Sequence, residues 1–448
     1  MNSEMEMYYA TNKLFLLRIG GWPYQRKILK VLIPCFFIMV HYSTVATQVI
    51  CDIDYASNRT SVSRNNQLIL LLYNTWGDVD IAIECIITLT CLFVASAKFI
   101  NIVVNNDKFR RILQLMNEHW KVFNSEFERH ILRYYANIGK KTTNYFAAYF
   151  MIVIMFYLTI PLLPKILDIL IPLNESRPLA YIYQAEYRVD KEKYYYPILL
   201  HCSVTSIITV TILFTVDTTY IICVLHACSL FTAVSQRLEN MTGEIDIKSD
   251  DDEENYTEMH YQLFAEKYRS TGNDYRELIT CLKKHQLALE HVQILNSTFN
   301  QVTFIVLCLN MLILSVIGIQ LINNLEKTEE VIRYVFVSCA VFTHLICMCI
   351  PGQLLIDRST EVFDKAYGSA WHTFSIKTRR LLRILLYRSL VPSTLTAGQM
   401  FVMSMTMCSS LFYPLDKDAQ LYYFIYIATK LQYLEKQLTF RMFYKRRL

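Results

Sequence analysis

Long apolar runs alternate with basic stretches along this chain. Runs near 29–50, 76–97, 144–164, 197–223, 299–322, 334–356 and 393–413 each approach the ~20 apolar residues a helix needs to cross the hydrocarbon core of a bilayer. The pattern predicts an all-α, polytopic membrane protein with seven transmembrane helices. The first run follows Arg26 and Lys27, is too long for a signal-peptide core and precedes no small-residue cleavage site. It is expected to stay as an anchor. Pro161 and Pro164 are expected to end the third span at the interface.

Two stretches between runs carry a helical stripe. Leu278, Leu282, Leu289, Val292 and Leu295 recur at helical spacing with Lys283, Lys284 and Glu290 between them, predicting a helix that continues into span five. Leu381, Leu382, Leu385 and Leu386 repeat the pattern before span seven. Two striped helices at one face suit a packed layer between subunits, or helices lying on the bilayer surface. The acidic block Ser249–Glu254 repels itself, predicting a disordered insertion over about 241–258. The expected organisation is a bundle over 1–390 with striped helices at about 275–298 and 374–390, a seventh span over 391–413 and a basic tail over 414–448.

Charge fixes an orientation. The N-terminal segment and the second, fourth and sixth loops carry 27 Lys and Arg, and the first, third and fifth loops carry nine. Basic residues accumulate on the cytosolic side, so the N-terminus is expected there. The tail, with Arg441, Lys445, Arg446 and Arg447, would then end outside although basic. Sequons at Asn58, Asn174, Asn240 and Asn255 fall on both sides and do not arbitrate.

Composition agrees with a membrane protein: mean hydropathy is +0.25, with only 10 Gly and 10 Pro in 448 residues. A net charge of +5 gives no reason to expect nucleic acid. Most of the 13 cysteines lie inside apolar runs, where they behave as small hydrophobes, and no CxxC or Cys/His spacing suggests a metal. Cys51 and Cys202 could face one side and pair. No HExxH, GxSxG or P-loop is present, so no cofactor and no enzymatic chemistry is expected. Ionisable residues within spans (Asp78, Asp80, Glu84, His201, Asp217, His226, His344) are either functional or helix–helix hydrogen-bonding groups. Aromatics gather on the outer half: Tyr73, Trp76, Phe156, Tyr157, Tyr181, Tyr183 and Tyr187. They suit an apolar ligand cleft or an interfacial belt.

Three stretches together resemble the insect odorant receptor family. The first runs Asp217-Thr218-Thr219-Tyr220, then His226 to Phe231 and Arg237-Leu238. The second is Tyr275-Arg276-Glu277-Leu278 with Cys281 and His285. The third is Gly352-Gln353, Ser359, Ala366-Tyr367, Trp371, Arg388-Ser389, Pro392, Ala397-Gly398 and Ser404. The ordered set covers about residues 10–410. The resemblance implies an odorant-gated, nonselective cation channel in the plasma membrane of an olfactory neuron dendrite, a heterotetramer with a coreceptor subunit. It implies a volatile ligand within the outer half of the bundle, with Tyr73, Trp76, Phe156, Tyr157, Thr205 and Ile208 as contacts. It also implies a pore lined from span seven by Gln399, Val402 and Met405, and subunit anchoring through Leu278, Leu282, Leu289, Leu382 and Leu386. A gustatory-type receptor of the same architecture is the nearest alternative. A G-protein-coupled receptor would need the opposite orientation, and a transporter would favour internal repeats. The chain departs from the family pattern at Phe412-Tyr413-Pro414-Leu415-Asp416-Lys417-Asp418, where span seven is expected to stop.

Overall fold

The computed structural model describes residues 3–60, 79–170, 182, 187, 189–190, 192–241, 256–323 and 328–410, with side chains omitted at 49–60, 79–85, 256–272 and some single positions. The helices are α1 (Ser3–Arg18), α2 (Lys27–Thr60), α3 (Val79–Val104), α4 (Asn106–Val122), α5 (Glu126–Thr159), α6 (Leu163–Leu170), α7 (Tyr195–Asn240), α8 (Tyr256–Asn323), α9 (Thr328–Tyr367), α10 (Ile376–Ser389) and α11 (Met405–Ser410). A two-stranded antiparallel hairpin, β1 (Thr396–Ala397) and β2 (Phe401–Val402), precedes α11. Five helices hold a described segment long and apolar enough to cross a membrane: α2, α3, α7, α8 and α9. By compactness the chain divides into Met1–Leu309 with Pro351–Val402, and Asn310–Ile350 with Met403–Leu448.

Most sequence expectations for helices hold. At 1.5 Å per residue, α7 is about 69 Å and α8 about 102 Å long, far beyond the ~30 Å core, so both extend well outside it. The Leu278 stripe is continuous with span five in α8, as its periodicity implied. Helix α5 stops at Thr159 and a 3-10 turn carries Pro161, as the proline pair predicted. Of the acidic insertion, 242–255 lies outside the described residues, while 256–258 is already helical. Helix α7 is rich in Thr yet crosses apolar surroundings because its hydroxyls bond back along the helix. Thr205, Thr209, Thr215 and Thr218 each donate to the carbonyl four residues earlier.

The start of the seventh run differs from expectation. A helix over 393–413 was expected, but after α10 the chain is extended and turns through the hairpin, and α11 begins only at Met405. Gly398 and Gln399 occupy the left-handed region at φ 63° and 60°, which a continuous helix forbids. Residues 411–448, including the Phe412–Asp418 break and the basic tail, lie outside the described residues.

Within Met1–Leu309 and Pro351–Val402, three polar clusters tie the helices. Glu128, fully buried, sits at the third position of α5 and accepts from the Ser125 backbone N–H at 3.3 Å, closing one arm of a capping box. Its carboxylate also accepts from Lys284 Nζ of α8 at 2.5 and 2.7 Å and from Arg237 Nη1 of α7 at 2.8 Å. Arg237 reaches on to Glu277 at 2.7 Å. Near this layer, the rings of His119 (α4), His226 (α7) and His291 (α8) lie 5.3–5.5 Å apart, all buried. His119 Nδ1 and His226 Nε2 are 3.1 Å apart, and His291 Nε2 lies 3.1 Å from the Cys223 carbonyl. These rings form no metal-holding group. In the third cluster, Asn12 of α1 donates to Thr218 of α7 at 3.0 Å and accepts from Thr143 of α5 at 3.1 Å.

The unit comprising Asn310–Ile350 and Met403–Leu448 has its own apolar core, with Ile313, Ile317, Tyr334, Leu345 and Met407 buried. His344 lies 3.1 Å from Asn310 Nδ2, and Ser404 Oγ accepts from the Met407 N–H at 3.1 Å, capping α11.

Two stability measurements follow. Glu128→Ala strands the buried Lys284 ammonium and takes one of two carboxylates from Arg237, which keeps Glu277, and should cost about 3–5 kcal/mol. Arg111→Ala breaks two exposed pairs, with Glu290 at 3.2 Å and Glu118 at 3.8 Å, and should stay within about 1 kcal/mol. Denaturation of the detergent-solubilised protein checks this, and equal losses would refute the central place of Glu128. Burial, then His291 and Arg111, push the His119 pKa down to about 2. Its folded value therefore lies below the unfolded one, so below about pH 6.5 the unfolded chain binds the extra proton and stability falls by up to about 1.4 kcal/mol per pH unit. The thermal midpoint should drop from pH 7.5 to 5.5, and His119→Gln should flatten that slope.

Candidate functional site

Polar side chains collect along one seam between α2 and α7. His41, Thr44 and Gln48 fall on one face of α2 at steps of three and four, and all are buried. Thr205 and Thr209 of α7 face them, also buried, with Ile208 beside them at 6% exposure. Thr44 Oγ1 and Thr205 Oγ1 are 2.8 Å apart. His41 Nε2 lies 3.1 Å from Thr209 Oγ1, and His41 Nδ1 lies 3.2 Å from Ser96 Oγ of α3. Towards the α7 N-terminus, His201 Nε2 lies 2.9 Å from Ser43 Oγ and its Nδ1 2.7 Å from the Tyr187 hydroxyl.

The proton inventory of this seam fixes most donors. Thr209 donates to the Thr205 carbonyl, so it can only accept from His41, which makes Nε2 the protonated nitrogen and leaves Nδ1 to accept from Ser96. By the same count Ser43 donates to the Val40 carbonyl, so His201 also carries its proton on Nε2 and accepts from Tyr187. Thr44 and Thr205 differ. Their two protons serve three short contacts: to the Val40 carbonyl, to the His201 carbonyl and to each other. One contact is always unmade, so this pair can turn a donor to a third oxygen without leaving a buried carbonyl wholly unpaired, since each is also a helix acceptor.

The sequence-predicted ligand contacts meet this seam in part. Thr205 and Ile208 belong to it. Phe156 and Tyr157 lie on α5, but their side chains lie outside the described residues, as do Tyr73, Trp76, Tyr181 and Tyr183. The Cys51 side chain does too, and with it the Cys51–Cys202 pairing; Cys202 is buried with Sγ 3.5 Å from the Tyr187 hydroxyl. His41, Thr44, Gln48 and Thr209 were missed, although their three- and four-residue spacing inside apolar runs is the signal that finds them.

Other candidates have structural partners. Asp217 pairs with Lys98 of α3 at 2.5 Å, their side chains 13% and 2% exposed, so a lysine counted among loop charges is a buried helix–helix partner. Asp78 and the side chains of Asp80 and Glu84 lie outside the described residues. Gln399, Val402 and Met405 do not form one helical face. The first is in the hairpin turn, the second in β2 and the third opens α11, the latter two each 40% exposed. Leu278 and Leu382 are buried within the chain itself, and Leu282, Leu289 and Leu386 are half-buried. The exposed apolar side chains of α10 are instead Ile376, Ile384 and Tyr387.

Comparison with known proteins assigns the architecture. The family model for the 7tm Odorant receptor matches residues 78–412. Odorant receptor 22b of Drosophila melanogaster is 28% identical over 145 residues, covering 32% of this chain and 36% of that receptor. Odorant receptor 63a of the same species is 25% identical over 285 residues, covering 62% and 59%. Odorant receptor Or2 of Anopheles gambiae is 22% identical over 199 residues, covering 43% and 46%. The chain thus spans between 36% and 59% of the length of these relatives. The structure of the insect olfactory receptor OR5 from Machilis hrabei in complex with eugenol superposes with a TM-score of 0.64 at 13% identity, covering 94% of this chain and 99% of that one. That likeness is one of fold, a polytopic bundle of helices, and the proteins compared are receptors and not enzymes. With its matched stretch running from the start of α3 to just past α11, the chain belongs to the odorant receptor family.

Proposed function

We propose that this chain is the odorant-binding subunit of a ligand-gated, nonselective cation channel that assembles with a coreceptor subunit in the plasma membrane of an olfactory neuron dendrite. The observation that carries the ligand-binding part is the α2–α7 seam. It offers one adaptable hydroxyl pair and a tautomer-fixed histidine amid apolar neighbours, the composition expected of a site for a small molecule with little polar surface. A volatile apolar molecule with a single oxygen fits that chemistry. The oxygen accepts from Thr44 or Thr205 and the hydrocarbon remainder packs on Ile208. The related receptor solved with eugenol supports a ligand of this size and polarity. The orientation with a cytosolic N-terminus rests on the charge asymmetry between loops. It places the seam in the outer half of the bilayer. Subunit contact is assigned to the outward residues of α10, Ile384 and Tyr387 above all, because Leu278 and Leu382 are taken up within the chain.

Co-expression with the coreceptor and recording of odorant-evoked currents tests the site. Thr44→Val and Thr205→Val should each raise the half-maximal concentration of an oxygenated odorant about two- to tenfold, the worth of one neutral hydrogen bond. The response to a hydrocarbon of equal size should stay put. Trp76→Ala, Phe156→Ala and Tyr157→Ala should shift both ligands by about tenfold or more if these rings line the same space. Unchanged dose–response curves in the threonine variants would remove the seam as the ligand site. Orientation has a separate check. A tag before Lys13 should be hidden in intact cells and one within 174–188 exposed, and the reverse staining would overturn it.

A further inference from the structure

A surface cleft lies between α1, the turn after it and α4. Its volume is about 300 Å³ and it opens to the surface. Glu6 and Lys13 of α1, Trp22 and Tyr24 of the turn, and Gln114 and Asn117 of α4 line it. Its floor continues into an apolar crevice that includes Leu16, Phe109 and Met116. The turn is sharply built: Gly20, at φ 75°, ends α1, and a Cβ there would lie 2.8 Å from the Pro34 ring. The aromatic wall is thereby brought up to the start of α2, where the first span begins.

The cleft is aromatic, with one carboxylate and one ammonium in its lining, Glu6 and Lys13, and Arg110 beside its Tyr24 wall. Residues 7–30 contain Lys13, Arg18, Arg26, Lys27 and Lys30 and no acidic residue. Lys30 is committed to the Pro23 carbonyl at 2.6 Å and to Asn106 at 3.1 Å. Lys13 stands 5.8 Å from the centre of the Trp22 ring, and Arg110 of α4 stands 5.2 Å over the Tyr24 ring. The pair of Lys13 with Glu6, at 3.2 Å, is open to water, with side chains 34% and 54% exposed, so it exchanges partners at little cost. Met7, Ala10 and Leu14 form an outward, apolar face of α1 beside it, with Arg18 at the end of the same face. An exposed apolar face flanked by cations and interfacial aromatics is what a helix lying on an anionic membrane surface presents.

We propose that this cleft binds a phosphate group carried on an apolar body, an anionic phospholipid of the adjoining leaflet. The phosphate lies between Lys13 and Arg110, the glycerol oxygens meet Gln114 and Asn117, and the acyl chains run out along the exposed Met7 and Leu14 of α1. Occupancy bears on the receptor through Asn12, one residue from Lys13 and lining the same crevice, which bonds both α5 and α7. Assigning the lipid to the inner leaflet rests on the cytosolic orientation proposed above.

The test uses purified full-length protein in detergent, where both faces are open, so its result depends neither on orientation nor on channel currents. Dioctanoyl phosphatidic acid is titrated and binding followed by thermophoresis, beside dioctanoyl phosphatidylcholine and glycerol phosphate. Phosphatidic acid should bind at least about tenfold more tightly than either. The double variant Lys13→Gln/Arg110→Gln should lose about tenfold or more in that affinity. Lys377→Gln/Arg380→Gln on α10 should not. All four positions are partly or fully exposed, so thermal midpoints without lipid should match the native protein. Equal binding of phosphatidylcholine overturns the phosphate assignment, and equal binding of glycerol phosphate overturns the lipid source. Full affinity in the Lys13/Arg110 variant overturns the site itself.

Discussion

One buried carboxylate organises the part of the molecule outside the bilayer. Glu128 starts α5, is wholly withdrawn from water and holds Lys284 and Arg237 from two other helices. A buried charge is tolerable only when paired and hydrogen-bonded, so the three helix positions are mutually required. The apolar stripes on α8 and α10 can pack in several neighbouring registers at similar cost. The carboxylate and its two cations admit one. Lys284 also lies 4.9 Å over the Phe123 ring, at the C-terminal end of α4, which extends the same constraint to a fourth helix. The three buried histidine rings near it, His119 stacked on His226 and His291 edge-on to both, pack against one another across α4, α7 and α8.

Inside the bilayer the constraint is different. Water is absent, so each hydroxyl must find a carbonyl or another side chain, and α7 satisfies its threonines on its own backbone. What remains after that self-satisfaction is the chemically useful part. The Thr44–Thr205 pair has more acceptors than protons, whereas Thr215 and Thr218 are bonded along the helix, and Thr218 also serves Asn12. The Thr44–Thr205 pair therefore keeps a choice of acceptor, while Thr215 and Thr218 further along α7 are fixed.

Much of this was legible in the sequence, and the limits have physical causes. Helices were found because apolar runs of membrane length and three- to four-residue stripes are local signals. Pro161 read correctly as a terminator because a proline acts on its own turn. Glu128 was invisible, since its cations stand 109 and 156 residues away and no spacing rule links them. Lys98 was misassigned for the same reason: it closes an apolar run and reads as a loop charge until Asp217 is placed beside it. The seam was half found. Thr205 and Ile208 were selected through the family resemblance, while His41, Thr44 and Gln48 went unread, although they share one helix face.

The hairpin at 396–402 shows how tertiary contacts override an apolar pattern. Residues 393–413 are apolar enough to read as one helix, and only Pro392 and Gly398 speak against it. The decisive partners lie on α8, where Asn296, Asn300 and Phe304 form a stripe at four-residue steps. Asn296 accepts from the Thr396 N–H at 2.9 Å, the Asn300 carbonyl from Gly398 N–H at 3.1 Å, and the Asn300 side chain from Gln399 N–H at 2.9 Å. Phe304 fills the space where a Gly398 Cβ would stand, 2.8 Å from the ring. Three backbone N–H groups that a helix would have bonded internally are thus supplied from outside. That offsets the roughly 1–3 kcal/mol cost of Gln399 in a left-handed conformation. Glycine is required at 398 by φ and by space together. Because both asparagines and the phenylalanine belong to α8, the turn holds its shape through α8.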